Sequence, residues 1–183
     1  MENNKTFIIK KITALAMALL MVFSAGFTPA LAVEGEENEY IAAVGEALYE
    51  SLQEAVDNAE NEAVITLLSD ANGDGIFVTG DKNITFDFDG HTYTVDGELV
   101  GSNGTKSQAM HMEKGAKITL KDGALVAGGE VRMLVQNYCD LTLDNFDLDT
   151  NGKKIYALSN NCGNILVTGD SDITSAAAAF DLW

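Results

Sequence analysis

One short apolar triplet keeps returning along this chain. It reads Ile65-Thr66-Leu67, Ile84-Thr85-Phe86, Ile118-Thr119-Leu120, Leu141-Thr142-Leu143 and Ile165-Leu166-Val167. Its last two steps, from Ile118 to Leu141 and from Leu141 to Ile165, are nearly equal. A second series, Met110/Met112, Met133/Val135, Tyr156/Leu158 and Phe180/Leu182, runs in phase with it at the same spacing. Two series sharing one period predict a solenoid, in which each repeat buries its apolar face only by stacking on its neighbours. A coil of this length holding about three short strands has the size of one turn of a parallel β-helix. Leucine-rich repeats are similar in length, but their Leu-x-x-Leu-x-Leu-x-x-Asn pattern is absent. An immunoglobulin-like sandwich would not give two phase-locked ladders of inward residues.

The ends of the chain bound the domain. Lys5, Lys10 and Lys11 precede an apolar run from Ile12 to Phe23, and Ala30-Leu31-Ala32 follows as a small-x-small cleavage site. This is the pattern of a secretory signal over residues 1–32. An uncleaved membrane anchor is the alternative, weakened by Ser24, Gly26, Thr28 and Pro29. Removing that segment takes away Glu2 and three lysines from 28 acids and 11 bases, so the mature chain from Val33 carries a net charge of −19. Such a chain is repelled by nucleic acid and by anionic membranes, and it suits cations, basic partners or neutral glycans. A solvated acidic surface that keeps an exported protein soluble has the same composition.

Residues 33–62 read as an acidic leader, a short strand at Tyr40 to Val44 and a helix that caps the first turn. Ser51-Leu52-Gln53-Glu54 is a capping box, and Leu52, Ala55, Val56 and Ala59 form one apolar stripe. Residues 63–183 change to period two, with Gly-, Asn- and Asp-rich turns between strands. Thr66, Thr85, Thr119 and Thr142 are expected on the outward face. The step from Ile84 to Ile118 is half as long again as the repeat, and the excess falls in the polar stretch Asp96 to Gln108. Insertions of this kind often carry binding, so this loop is the first place to look for a site. Cys139 and Cys162 lie one repeat apart and are expected one above the other in adjacent turns, with Ala116 below. Stacked strands lie about 4.8 Å apart, within reach of a disulfide. Two buried thiols filling a core ladder fit better, because stacked side chains point the same way.

The segments Tyr40-Ile-Ala-Ala-Val-Gly45, Tyr49 to Val56, Val64 to Ser69 and Ile84 to Thr94 resemble the opening of many exported bacterial right-handed β-helix proteins. These belong to the pectate-lyase-like superfamily of folds, and Ala179-Phe-Asp-Leu-Trp183 is similar to one of their rungs. The resemblance implies an all-β, right-handed parallel β-helix of about four to five rungs with an N-terminal capping helix. For activity it implies little, since the fold hosts lyases, hydrolases, adhesins and spacers.

The residues that would carry chemistry are sparse. Lyases of this fold use acidic Ca²⁺ ligands with an Arg or Lys base, yet the single arginine, Arg132, has no identifiable acid cluster beside it in the sequence. Glycosidases need paired carboxylates about 5 to 9 Å apart. Asp144, Asp147 and Asp149, with Asp170 and Asp172 a turn later, offer such pairs, but turn chemistry explains the same residues. Asp70, Asn72, Asp74 and Asp81 match the start of a Ca²⁺ loop, with Gly75 for the sharp bend. No flanking helices frame it, and a Gly/Asn/Asp turn between rungs has the same composition. His91 and His111 are isolated and are expected at the surface. Asn83-Ile-Thr85 and Asn103-Gly-Thr105 are sequons. Tyr138 and Trp183 are the aromatics expected to be exposed for sugar stacking.

Together these features predict a secreted or cell-surface module with a non-catalytic, adhesin-like or scaffold role, touching glycans or a host or bacterial surface protein. A fragment of a carbohydrate-active enzyme, lyase or glycoside hydrolase, is the alternative. The last rung stops in mid-strand, so an open edge and further rungs of the same protein are expected.

Overall fold

The computed structural model describes residues 40–102 and 104–182. The signal segment at 1–32, the leader to Glu39, the sequon asparagine Asn103 and Trp183 lie outside them. The described chain is a parallel β-solenoid of about five turns, with one short helix near its start.

Each complete turn has three faces. The first is built by β3 (Val64–Leu67), β6 (Asn83–Asp87), the first half of β9 (Lys117–Ala127), the first half of β11 (Asp140–Asp149) and β13 (Asn164–Thr168). The second comprises β4 (Ala71–Gly73), β7 (Thr92–Val95), the second halves of β9 and β11, and β14 (Ile173–Thr174). Asp122 and Asn145, at φ 54° and 56°, turn the long strands from one face to the next. The third is a separate sheet of β5 (Ile76–Val78), β8 (Gln108–Met112), β10 (Met133–Asn137), β12 (Tyr156–Asn160) and β15 (Ala178–Leu182).

The triplets fill the core as their alternation requires. Ile84, Ile118, Leu141 and Ile165 stack in register, as do Phe86, Leu120, Leu143 and Val167. Thr85, Thr119 and Thr142 form the half-exposed row between them. The first step differs, because Ile65 pairs with Phe86. The second series also shifts. Met133 pairs with Gln108 and Val135 with Met110, while Leu158 pairs with Phe180. On this third face only β10 and β12 pair as the repeat predicts, Met133 with Tyr156 and Val135 with Leu158. Each shift is by an even number of positions, so every side chain stays on its own face.

The start of the stack is closed. β1 (Ala42–Val44) and β2 (Ala47–Tyr49) form a hairpin, and β1 runs antiparallel to β3. The helix α1 (Leu52–Asn58), with Ala59 as its C-cap, spans the apolar stripe, and it begins as expected: Ser51 Oγ accepts from Glu54 N at 3.1 Å. Leu52, Ala55 and Val56 lie buried over the first turn. Gln53 covers the free edge of β5, its Oε1 accepting from Phe77 N at 2.7 Å and its Nε2 donating to Phe77 O at 3.1 Å. Those two backbone groups would otherwise form an unpaired sheet edge. At the other end the inward row is left exposed among the described residues. Leu143 and Leu158 are 0% exposed, whereas Val167 and Phe180 in the last turn are 43% and 46%.

The expected cysteine ladder does not form. Cys139 is buried and Cys162 exposed, and both are free. Asn137 pairs with Asn160 and Asp140 with Asn164, so the upper corner holds one extra residue. That places Gly163 over Cys139 and pushes Cys162 out at φ 64°. A Cβ on Gly163 would lie 2.5 Å from both Cys139 O and Asn137 Nδ2. Ala116 is buried below Cys139 as expected.

Candidate functional site

The insertion at 96–107 bridges the second and third faces, and it is tied down on both sides. Below, Gly73 O accepts from Asp96 N and Gly97 N at 3.1 Å each, and Asp74 Oδ1 accepts from Glu98 N at 2.7 Å. Val100 and Gln108 exchange backbone bonds at 3.0 and 2.9 Å. Above, Ser107 O accepts from Arg132 N at 2.9 Å. Leu99 packs against the core. With these anchors the loop is a built wall rather than a loose excursion.

Between this wall and α1 lies a groove of about 360 Å³, lined by Gln53, Phe77, Leu99, Val100, Glu98 and Lys106. Glu98 and Lys106 face each other across its rim at 3.6 Å, with their side chains 82% and 75% exposed. Phe77 sits on the outward row of β5, next to His111 on β8. The two rings stack at 5.0 Å between centroids and 5° between planes. His111 in turn meets Tyr138 at 5.5 Å, tilted by 45°.

His111 is not at the surface as the sequence suggested. It is 3% exposed. Its Nδ1 lies 3.2 Å from Gln108 Oε1 and 3.2 Å from Gln136 Oε1. The Nδ1–H tautomer is the one that two facing amide oxygens accommodate. Burial lowers its pKa, and the Gln136 bond and the charge of Glu113 only partly oppose that. Gln136 Nε2 donates to Tyr138 Oη at 3.1 Å, which leaves Tyr138 half-buried in this network.

The four residues read as a Ca²⁺ loop have other engagements. Asp70 Oδ1 accepts from Thr92 N at 2.9 Å and stands 3.5 Å from His91 Nδ1. Asn72 lies on strand β4 and donates to Asp96 Oδ2 at 3.1 Å. Asp74 serves Glu98 N, and Asp81 Oδ1 accepts from Thr79 Oγ1 at 2.6 Å. That hydroxyl is the main cause of the lowered pKa of Asp81. Among the described residues, no group of three His, Cys, Asp or Glu side chains is placed to hold a metal ion.

The carboxylates on β11 and after it largely serve turns. Asp147 Oδ1 accepts from Asp172 N at 2.8 Å, Asp149 Oδ1 from Asn151 N at 2.7 Å, and Asp144 Oδ1 from Thr168 Oγ1 at 2.8 Å. Asp147 and Asp170 do line one open groove of about 400 Å³ on the second face, beside His91 and Asn145. Arg132 is exposed at the N-terminal end of β10, bonded to the insertion through its backbone.

Sequence reasoning missed Phe77. The signal was present in Ile76-Phe77-Val78, where alternation turns a large aromatic outward between two core residues. Compared with family models, curated proteins and solved structures, the chain has no significant match.

Proposed function

We propose that this chain is a secreted or cell-surface interaction module of the exported bacterial β-helix type with a pectate-lyase-like fold. Its role is non-catalytic and adhesin-like, and its ligands are glycans displayed on a surface. The observation that supports this reading is the insertion. It is the largest interruption of the stack among the described residues, and its backbone is bonded to the turns below and above so as to wall a groove. A rigid scaffold that spends its longest loop on a fixed concave surface is organised for recognition.

A glycan array probed with the full chain tests the reading, run beside a reducing-end assay on pectins and host glycans. Retention on a subset of the array with no release of reducing ends supports it. Release of reducing ends would replace it with the carbohydrate-active enzyme, and a blank array would leave no glycan role.

A further inference from the structure

We infer that the groove beside the insertion binds one neutral pyranose unit of a glycan, stacked on the face of the Phe77 ring turned away from His111. This rests on the glycan-binding reading above and assigns its site and sugar class. The first support is the ring's position. Phe77 belongs to β5, the edge strand of its sheet, and one face of its ring is covered by His111 at 5.0 Å. The rings are parallel within 5°, so the face turned away from His111 is directed past the sheet edge, on the side where Gln53 and the groove lie, and the residue is only half-buried. Sugar C–H groups and aromatic faces associate through dispersion and the ring quadrupole.

Second, the edge of β5 is closed to a peptide. Gln53 already occupies the N–H and C=O of Phe77, at 2.7 and 3.1 Å. An extended chain cannot add to this strand through its backbone, so recognition here falls to side chains. Third, the rim matches hydroxyls and not acids. Glu98 supplies acceptors and Lys106 donors, both exposed enough to swing toward a ligand. With Asp74 also lining the groove, its carboxylates outnumber its ammonium, and a uronic acid is repelled. The groove, at about 360 Å³, is near the small end of ligand sites and suits a sugar ring or two and no more.

Saturation-transfer NMR with the full chain tests this, using neutral β-1,4-linked glucan, mannan and galactan hexasaccharides beside hexagalacturonate. The expected result is transfer to ring protons of at least one neutral sugar and none to hexagalacturonate. Phe77→Leu keeps an apolar contact with His111 but removes the flat face, and should weaken binding by about five-fold or more. Should that variant unfold, Glu98→Ala combined with Lys106→Ala alters only the exposed rim and should also weaken binding. Unchanged affinity in these variants, while the wild-type chain still binds, overturns the site and leaves the module reading standing. Tighter binding of hexagalacturonate overturns the sugar class. No transfer to any hexasaccharide overturns the inference, and a blank array beside it removes the parent reading as well.

Discussion

At the scale of single residues, the corner between β10 and β11 shows how little separates a core position from a surface one. Asn137 is fully buried, and its amide replaces missing backbone partners. Nδ2 donates to Cys139 O at 3.1 Å and to Asn160 Oδ1 at 2.7 Å, while Oδ1 accepts from Cys139 N at 3.0 Å. Asn137→Leu would leave that N–H buried without a partner. It should cost about 3 kcal/mol in a urea titration. Burial pushes the Cys139 thiol up to about 12, whereas Cys162 is exposed. At pH 8 one thiol per folded chain should therefore react with a disulfide reagent, and two after denaturation. Two reactive thiols in the folded chain, or none, would contradict the corner as described. His111 supplies a pH signature. Its folded pKa lies below the ordinary 6.5, so the unfolded chain binds the proton more readily. The neutral form's contribution is fully present above the unfolded value and is lost as pH falls through it toward the folded value. The fall in melting temperature from pH 7 to pH 5 should be shallower in His111→Gln than in wild type.

At the scale of elements, the alternation of the strands was legible throughout, and their register was legible from β6 to β13 on the first face and between β10 and β12, but not elsewhere. Alternation fixes which face a side chain takes, and on the first face solvent enforces it, whereas on the third face His111 is buried although it lies on the outward row. Register depends on how much chain each corner absorbs, and the corners differ. Val135 therefore stacks on Met110 rather than Met112, and Phe180 on Leu158 rather than Tyr156. Both preserve parity, which is why the slip was invisible in the pattern. Cys162 fell to the same ambiguity, since one extra corner residue changed its face. The capping box at Ser51 was readable because it is local, while the hairpin partner β2 lacked an alternating signal. Packing at the bend explains a glycine that sequence alone could not. Gly123 pairs with Phe146, and a Cβ there would lie 2.3 Å from Phe88 Cβ. The gap admits Phe88 against Phe146, edge to face at 4.7 Å and 78°. Gly123→Ala should destabilise the fold by about 2 kcal/mol, read as an earlier urea midpoint with an unchanged slope.

At the scale of the whole molecule, a regular stack is interrupted by one long insertion that walls a groove. The stack supplies a rigid frame whose interior rows of Ile, Leu, Val, Phe and Met are nearly fully buried through the middle turns. On the first face the outward row of Thr85, Thr119 and Thr142 is half-exposed, whereas on the third face the row of Phe77, His111 and Gln136 is largely buried. The candidate site was half legible: the repeat exposed the insertion by its length, but Phe77 and Gln53 come from elsewhere in sequence and meet it only in the fold. Shortening the insertion removes the wall that Phe77 and Gln53 meet. Residues 98–106 can be replaced by a two-glycine link in the full chain, and glycan-array retention then compared with wild type at matched folding by circular dichroism. The expected variant is folded and loses retention. A folded variant that binds as wild type does would show that this groove is not the site.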